Sequence, residues 1–317
     1  MKKKFGRIGV LAGGPSNERE ISLRSGRAVH DALLAEGLDS IFLDVKNDLD
    51  EIIKNSCIDV AFIALHGRFG EDGTVQRMLE DAGIPYTGSG IKSSAAALDK
   101  VASKELFIKN SIPVPRHIVL IKGQSGIHNS GNFGFPVVVK PHLEGSSIGL
   151  SIVRDKRSLQ DAIDKAFEYG DKVILEEYID GRELTVGILN DEALPVIEIV
   201  PKNKVYDYDA KYKDSATKYI VPAGIAKDVS EEARRLGIMA HKALGCKSFS
   251  RVDMMMAPSG EIFVLEVNTI PGMTERSLLP KAAQATGLRF GSLCVKILEY
   301  AVRKVERGVS NGKTEKV

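Results

Sequence analysis

The chain has 317 residues, of which 43% are hydrophobic and 27% are charged. This composition is typical of a soluble globular protein and excludes extended disorder and fibrous structure. The 44 basic residues nearly balance the 42 acidic ones, so neither nucleic acid nor a membrane surface is expected as a partner. At about 150 residues per domain, the length predicts two domains, or three small ones within one enzyme.

Cysteine usage and the N-terminus both indicate a cytoplasmic protein. Cys57, Cys246 and Cys294 lie far apart without a CxxC motif, which predicts neither a disulfide framework nor a zinc site. The first apolar run is interrupted by Gly6, Arg7 and Gly9 and is too short for a signal peptide. No segment reaches the ~18 consecutive apolar residues of a membrane-spanning helix.

The first third of the chain alternates strands and helices. Strands are predicted at 8–11, 41–45 and 60–65, and helices at 21–37 and 74–82. This order predicts a parallel sheet covered by helices. The turn-rich segment 85–90 marks the first boundary, so we expect an N-terminal α/β domain over 1–95.

The remaining sequence predicts two α+β domains, over 96–180 and 181–317. The first combines predicted helices at 93–109 and 159–167 with strands at 117–121, 136–140, 151–153 and 173–178. The second combines strands at 184–189, 193–200, 250–256 and 262–267 with helices at 230–244, 277–286 and 290–305. Its polar loop over 202–219 is long for a compact domain, a length that is typical of a lid.

Two polar loops follow strands of the predicted parallel sheet. The segment GGPSNERE at 13–20 opens a helix and places Glu18 at the edge where α/β proteins bind ligands. It lacks the GxGxxG pattern, which excludes a dinucleotide site of the Rossmann type, but a tight capped turn remains an alternative. The segment HGRFGEDG at 66–73 offers His66, which either contacts a ligand or orients this loop through local hydrogen bonds.

The central segment carries groups that suit a nucleotide. Lys140 ends an apolar strand and is followed by EGSSIG at 144–149, whose amides and hydroxyls could hold phosphate oxygens. The alternative is a lysine that extends to solvent beside an ordinary loop. Glu176, Glu177 and Glu183 could accept hydrogen bonds from adenine or ribose, or could form a solvated acidic edge.

A hairpin near the C-terminus concentrates polar groups on one face. Strand alternation places Arg251 with Asp253 on the first strand, and Glu266 with Asn268 on the second. Two carboxylates and an amide make a hard oxygen site suited to Mg²⁺ with bound phosphates. A purely structural interpretation would have to explain these acceptors and a guanidinium on one face without a ligand.

Taken together and in order, these segments resemble the D-alanine–D-alanine ligase family of the ATP-grasp superfamily. The resemblance extends from Gly9 to about Tyr300. It rests on GGPSNEREIS (13–22), ALHGRFGEDGTVQ (64–76), YTGSG (86–90), VVVKPHLEGSSIG (137–149), YDYDAKY (206–212), SRVDM (250–254) and LEVNTIPGMT (265–274). It implies the ATP-grasp fold, of mixed α/β and α+β class, with an N-terminal parallel α/β domain followed by two α+β domains that clasp ATP.

The resemblance also implies an activity. Such enzymes use ATP to phosphorylate one D-alanine, and the amine of a second D-alanine attacks the acyl phosphate, giving D-alanyl-D-alanine for peptidoglycan precursors. The implied metals are two Mg²⁺, for which Mn²⁺ can substitute, and the implied assembly is a homodimer.

Individual residues acquire roles from the same resemblance. The implied ATP contacts are Lys100, Lys140, Glu176, Glu177, Ile179, Glu183 and Lys211. The implied metal ligands are Asp253, Glu266 and Asn268. The implied catalytic groups are Glu18, Ser146 and Tyr212, which tie the N-terminal loop to the lid, and Arg251 with the Gly272 amide, which stabilise the oxyanion. The implied substrate contacts are Glu18, His66, Arg251, Gly272, Ser277 and Leu278.

Two rival functions share much of this pattern. A ligase that joins D-alanine to D-lactate or D-serine would differ around Tyr212 and Ser277, and Tyr212 favours an amine nucleophile. A nucleotide-binding regulator without catalysis would show damage at Arg251 or at the metal carboxylates, and these residues are intact.

Overall fold

The computed structural model describes residues 2–124, 134–201 and 217–311. Its strands form three sheets that follow one another along the chain and fall within the three predicted segments. The boundaries of the domains themselves stay a prediction. Within the described ranges, no helix combines the length and the apolar character needed to cross a bilayer.

The N-terminal sheet is parallel, with strand order β2-β1-β3. Its strands are β1 (Arg7–Gly13), β2 (Asp39–Val45) and β3 (Val60–Ile63), and its helices are α1 (Lys2–Phe5), α2 (Arg19–Ala35), α3 (Leu49–Ser56) and α4 (Thr74–Asp81). The strands β1 and β3 are almost entirely buried because helices cover both faces. The predicted βαβ alternation is therefore confirmed, while α1 and α3 were not predicted.

The central sheet is antiparallel, with strand order β4-β7-β5-β6. Its strands are β4 (His117–Ile121), β5 (Val137–Pro141), β6 (Ser151–Val153) and β7 (Lys172–Glu177), and α7 (Leu159–Phe167) lies against it. The buried side chains of α7, such as Ile163, pack on Val139 and Leu175 in one core. The opposite face of this sheet is left available for a cleft.

The largest sheet is also antiparallel, with strand order β11-β10-β8-β12-β13 and β9 paired to β8. Its strands are β8 (Arg182–Leu189), β9 (Glu192–Ala193), β10 (Ile197–Val200), β11 (Lys218–Ile220), β12 (Phe249–Met256) and β13 (Ile262–Asn268), and α8 (Lys227–Ala243) packs on it. Leu236 and Ala240 of α8 share a core with Val186 and Val252. Strand alternation then places Arg251 and Asp253 of β12 on the side away from α8, while Ile197 and Ile199 of β10 belong to a different core.

One predicted strand is split in the structure, and the end of one predicted loop forms a strand. The predicted strand 193–200 is split into β9 and β10, because Pro195 between them has no N–H for the ladder. The end of the predicted loop 202–219 belongs to β11, which begins at Lys218. Residues 202–216 of this loop lie outside the described residues.

The single helix predicted over 93–109 is two helices, α5 (Ile91–Leu98) and α6 (Lys100–Lys109). Asp99 between them is extended, with φ −76° and ψ 103°, and its carboxylate accepts hydrogen bonds from the N–H groups of Val101 and Ala102. Such a cap competes with continuous helix because it satisfies the donors of a new first turn. As a result, α6 begins at Lys100.

The C-terminal helices return to the beginning of the chain. Helices α9 (Leu278–Gln284) and α10 (Phe290–Asn311) complete the fold, and α10 runs beyond the predicted end at 305. Leu293 and Ile297 of α10 share a core with Val29, Leu33 and Phe62 of the N-terminal unit. This core holds the N-terminal loops beside the large sheet, which positions the candidate site between them.

Candidate active site

Two clefts lie on the polar side of the large sheet. The first, of about 400 Å³, lies between the central and large sheets. The second, of about 560 Å³, lies between the large sheet, the N-terminal loops and the start of α9. Gly145, Ser146 and Glu266 line both clefts. A ligand in one cleft therefore meets a ligand in the other at these three residues.

Six of the seven residues predicted to contact ATP line the first cleft. They are Lys100, Lys140, Glu176, Glu177, Ile179 and Glu183. The seventh, Lys211, lies outside the described residues, as does Tyr212. The structure thus brings together groups that are up to 83 positions apart in the chain, from Lys100 to Glu183.

Lys100 stands at the point where the clefts meet. Its Nζ donates to the carbonyl oxygen of Glu144 at 2.7 Å and lies 3.2 Å from Oε2 of Glu266. Its backbone N–H donates to the carbonyl of His142 at 2.9 Å. The helix start at Lys100 therefore fixes this cation against both the central sheet and the metal-candidate hairpin.

Lys140 is buried rather than extended to solvent, so the alternative interpretation of this lysine is wrong. Its Nζ lies 2.8 Å from Oε2 of Glu176, and the Nζ of Lys104 lies 2.7 Å from Oε1 of the same carboxylate. Glu176 is only 2% exposed, which also excludes a solvated acidic edge at this position.

The two lysines determine the ionisation of Glu176. Burial alone would raise the pKa of this carboxyl group, but Lys104 and Lys140 outweigh burial and hold the pKa at about 2. Burial lowers the pKa of Lys104 from its ordinary value, although Glu176 opposes that shift. The carboxylate is thus charged at neutral pH and screened by two cations.

Glu177, the next residue of β7, is held elsewhere. Arg116 donates to both of its carboxylate oxygens, at 2.7 and 2.9 Å. This bidentate pair lowers the pKa of Glu177. Both oxygens of the Glu177 carboxylate are therefore bound by Arg116 at the rim of the first cleft.

The loop over 144–149 connects the clefts to the N-terminal unit. Ser146 and Ser147 have φ values of +50° and +60°, a conformation that costs free energy in non-glycine residues and is found where the surroundings enforce it. Ser146 Oγ donates to Oε1 of Glu18, and Arg68 forms an ion pair with Glu144 at 3.0 Å. The Glu18–Ser146 part of the predicted triad is therefore in contact.

The polar hairpin face has the predicted arrangement. Arg251 lies opposite Asn268, and Asp253 lies opposite Glu266, in the register of β12 and β13. Arg251 donates to both oxygens of Asp253, at 2.8 and 2.6 Å, and Asn268 Nδ2 donates to Oδ2 at 2.9 Å. Thr185 Oγ1 donates to the other oxygen at 2.6 Å.

This face fits a cation that arrives with phosphate. Among the residues that the structure describes, no three His, Cys, Asp or Glu side chains form a cluster that could hold a metal unaided. Asp253, Glu266 and Asn268 supply hard oxygens, which Mg²⁺ prefers, but too few to complete its octahedral shell. The donor set therefore suits Mg²⁺ whose remaining ligands are phosphate oxygens and water.

Glu18 is buried at the second cleft beside two glycines. A Cβ atom added to Gly67, whose φ is +72°, would lie 2.7 Å from Oε2 of Glu18, and one added to Gly145 would lie 3.1 Å from it. The absence of side chains at these positions lets both loops approach the carboxylate closely. The carboxylate of Glu18 is therefore closely surrounded by both loops.

His66 holds two parts of the second cleft together. Its Nδ1 lies 2.9 Å from the carbonyl oxygen of Ile270 and 3.6 Å from Oε1 of Glu71, and its Nε2 lies 3.1 Å from Ser25 Oγ. Ser25 also accepts from the N–H of Met273 at 3.2 Å. These bonds agree with the interpretation in which His66 orients a loop, here the segment on either side of Gly272.

The ionisation of His66 depends on its neighbours. Burial alone would lower its pKa, but Glu71, together with Glu18 and the Ile270 carbonyl, outweighs burial and raises the pKa above its ordinary value. Burial raises the pKa of Glu71, against the influence of His66. Beside Glu71, His66 is therefore protonated more readily than an isolated buried histidine. The protonated ring places a positive charge near Glu18.

Ser277 and Leu278 line the second cleft. Ser277 Oγ accepts from the Thr274 N–H at 3.1 Å and shares a hydrogen bond with Thr274 Oγ1 at 2.9 Å. A Cβ atom on Gly272 would lie 3.0 Å from Ser277 Oγ. The Gly272 backbone and the serine hydroxyl are thus neighbours.

Several residues of the site were given no individual role from the sequence. They are Ser25, Arg68, Glu71, Lys104, Glu144 and Thr185. Ser25 gave a usable signal, because it is a polar residue on the buried face of α2 that includes Ile21 and Val29. Lys104 and Thr185 gave none, since their partners are set by tertiary packing.

Comparison with known proteins identifies the family of this chain. Two family models match, described as D-ala D-ala ligase N-terminus over residues 45–89 and D-ala D-ala ligase C-terminus over residues 106–299. The chain belongs to the D-alanine–D-alanine ligase family. The family membership predicted from the sequence motifs is confirmed.

Curated relatives of this family match over nearly the whole chain. D-alanine–D-alanine ligase of Citrifermentans bemidjiense is 49% identical over 306 residues, which cover 96% of this chain and 98% of the relative. The enzyme of Geotalea uraniireducens is 46% identical over 304 residues, with 96% and 98% covered.

Solved structures confirm the ATP-grasp fold. The D-alanine–D-alanine ligase of Bacillus anthracis complexed with ATP aligns with a TM-score of 0.85 at 36% identity, covering 95% of this chain and 99% of that one. The VanG D-Ala:D-Ser ligase of Enterococcus faecalis aligns with a TM-score of 0.81 at 30% identity, covering 93% and 99%.

The depressed pKa of Glu176 predicts a specific pH dependence of stability. A carboxyl group whose pKa is about 2 in the folded state and 4.5 ordinarily contributes stability that is present above pH 4.5 and is lost as the pH falls toward 2. Wild-type protein should exceed Glu176→Gln in free energy of unfolding at neutral pH. Below about pH 4.5 the difference should shrink by about 1.4 kcal/mol per pH unit.

Urea denaturation of both proteins from about pH 6 to about pH 3 measures this difference. Glu168→Gln, at an exposed position directly after α7, is the matched control. A difference between wild type and Glu176→Gln that stays constant with pH would contradict the assignment.

Proposed function

We propose that the chain is an ATP-dependent ligase that joins two D-alanines into D-alanyl-D-alanine through a D-alanyl phosphate, for peptidoglycan precursor synthesis. The observation that carries the proposal is the meeting of the two clefts at Gly145, Ser146 and Glu266. Lysines gather on one side of this junction, and a carboxylate with oxyanion donors on the other. Membership of the family supports the same reaction.

ATP is the substrate of the first cleft in this proposal. Lys100 and Lys140, with Lys211, provide positive charge for its phosphates, while Glu176, Glu177, Ile179 and Glu183 lie where adenine and ribose would bind. The B. anthracis relative was solved as a complex with ATP, which supports the nucleotide.

Asp253, Glu266 and Asn268 would hold two Mg²⁺, with Mn²⁺ as a substitute. The metals would supply neutralisation of charge on the phosphates of ATP, which lets an anionic carboxylate approach them. The cation preference itself remains part of the proposal.

The first D-alanine binds in the second cleft. Glu18 accepts hydrogen bonds from its ammonium group, and His66 keeps the surrounding loops in place through Ser25 and Ile270. The substrate carboxylate then lies toward Arg251 and Ser146, where the clefts meet. In the proposal Tyr212 completes the contact between Glu18 and Ser146, and this tyrosine favours an amine as second substrate.

The reaction conserves atoms and charge in two transfers. A carboxylate oxygen of the first D-alanine attacks the γ-phosphorus of ATP, and ADP leaves with the electron pair of the broken P–O bond. The neutral amine of the second D-alanine then attacks the carbonyl carbon, the C–O bond to phosphate breaks, and inorganic phosphate leaves with the former carboxylate oxygen and with the proton that the amine loses. Phosphorylation is needed because a free carboxylate is a poor electrophile.

The residues around the carbonyl suit the charge that develops on it. Arg251 and the N–H of Gly272 are the proposed oxyanion donors, fixed in advance by Asp253 and by the hydrogen bonds of the 270–274 segment. Ser277 and Leu278 lie where the second D-alanine would bind.

A homodimer and a cytoplasmic location complete the proposal. The homodimer rests on the family resemblance, and light scattering after size-exclusion chromatography measures it. The cytoplasmic location rests on the three widely spaced cysteines.

Product analysis tests the proposed reaction. Protein incubated with ATP, Mg²⁺ and D-alanine should release phosphate and form D-alanyl-D-alanine, identified by mass. Parallel reactions with added D-serine or D-lactate should still give the D-alanine dipeptide as main product. A mixed dipeptide or a depsipeptide as main product would overturn the specificity, and absence of phosphate release from folded protein would overturn the activity.

Glu266 provides a mutational test of the shared junction. Glu266→Gln removes a negative charge beside Lys100 and replaces one carboxylate oxygen of a proposed metal ligand by an NH2 group, so turnover should fall by about 10³-fold or more while the fold remains. Glu261→Gln, at an exposed position of the same hairpin, should leave turnover unchanged. Steady-state phosphate release measures turnover, and circular dichroism checks the fold. Turnover of Glu266→Gln within a few-fold of wild type would contradict the assignment of Glu266 as a metal ligand.

A further inference from the structure

Lys104 is a fully buried cation that the proposed reaction does not use. Its side chain is 0% exposed, and it is not among the residues that line either cleft. Long charged side chains are almost never fully buried unless they are paired. Its presence behind the first cleft therefore requires a partner and an explanation.

The capped start of α6 determines where Lys104 lies. Because α6 begins at Lys100, Lys104 follows one helical turn later on the same side. Lys100 reaches into the first cleft, and Lys104 reaches Glu176 beneath it, at 2.7 Å from Oε1. One helix thus places Lys100 in the nucleotide cleft and Lys104 behind it.

Glu176 is shared between two cations. Its second oxygen lies 2.8 Å from Nζ of Lys140, which lines the cleft. Within this triad of Lys104, Glu176 and Lys140, two positive charges share one negative charge, which leaves one positive charge. Without Lys104, the carboxylate would be neutralised by Lys140 alone, and the net charge presented to the cleft would be close to zero.

We propose that Lys104 is a positioning residue for nucleotide binding, which acts by neutralising Glu176 so that the charge of Lys140 remains available to the phosphates of ATP. The inference rests on the proposed function, since it assigns Lys140 to phosphate. Burial strengthens the effect, because charges interact more strongly where water is excluded. Burial lowers the pKa of Lys104 and Glu176 opposes that shift, so the charged form of Lys104 depends on its carboxylate partner.

Lys104→Met tests the inference with little change in shape. The KM for ATP should rise by at least about tenfold, equivalent to about 1.4 kcal/mol, while the KM values of both D-alanine sites stay within about twofold of wild type. Lys109→Met is the matched control, because Lys109 is exposed on the last turn of the same helix, and it should behave as wild type. An unchanged KM for ATP in Lys104→Met would overturn the proposal.

A second substitution separates charge from packing. In the double variant Lys104→Met with Glu176→Gln, Lys140 no longer faces a carboxylate, so binding of the Mg²⁺ complex of the β,γ-imido analogue of ATP should be tighter than in Lys104→Met alone. Isothermal titration calorimetry measures both. A purely structural role for Lys104 predicts that the double variant binds equally or more weakly, and that result would overturn the proposal.

Two further comparisons keep the test decisive. If Lys104→Met does not fold, Glu176→Gln alone should bind the analogue more tightly than wild type, because Lys140 then no longer faces a carboxylate, and weaker binding would contradict the charge argument. If wild-type protein binds the analogue but forms no dipeptide, the proposed function fails while the order of affinities still tests Lys104.

Discussion

The antiparallel pairing of β12 with β13 is the constraint on which the candidate site depends. It places Arg251 opposite Asn268 and Asp253 opposite Glu266. The register is fixed from the other face, where Val252 and Val267 are buried against α8. A slip of one residue would turn these apolar side chains toward the clefts and the polar ones into the core, at a large cost in hydrophobic burial. The core therefore enforces the arrangement of the chemistry.

Charged side chains around the two clefts are paired within the protein. Arg251 pairs with Asp253, Lys100 with Glu266, and Glu176 with two lysines. Removing one partner of a buried ion pair typically costs about 3–5 kcal/mol, because the other charge stays buried. Such a network keeps side chains in fixed positions before substrates arrive, which is the condition for electrostatic stabilisation of a transition state.

Much of this site could be predicted because strand periodicity and motif order are local properties. Alternation alone placed Arg251 with Asp253 and Glu266 with Asn268 on one face. Asp99 was missed because a side-chain cap broke a helix whose pattern looked continuous. Thr185 was missed because its bond to Asp253 joins residues 68 positions apart, a distance over which sequence periodicity carries no information. Lys211 and Tyr212 lie outside the described residues, so their roles stay predictions.

In the proposed reaction, the carboxylate of the first substrate meets the γ-phosphate of ATP where the two clefts join. The most direct measurement uses D-alanine labelled with oxygen-18 in its carboxylate, followed by mass spectrometry of the phosphate released. The account predicts that each phosphate carries one oxygen from the carboxylate, because that oxygen bridges carbon and phosphorus in the acyl phosphate. Dipeptide formed with unlabelled phosphate would show that the carboxylate never attacked phosphorus, and would contradict it.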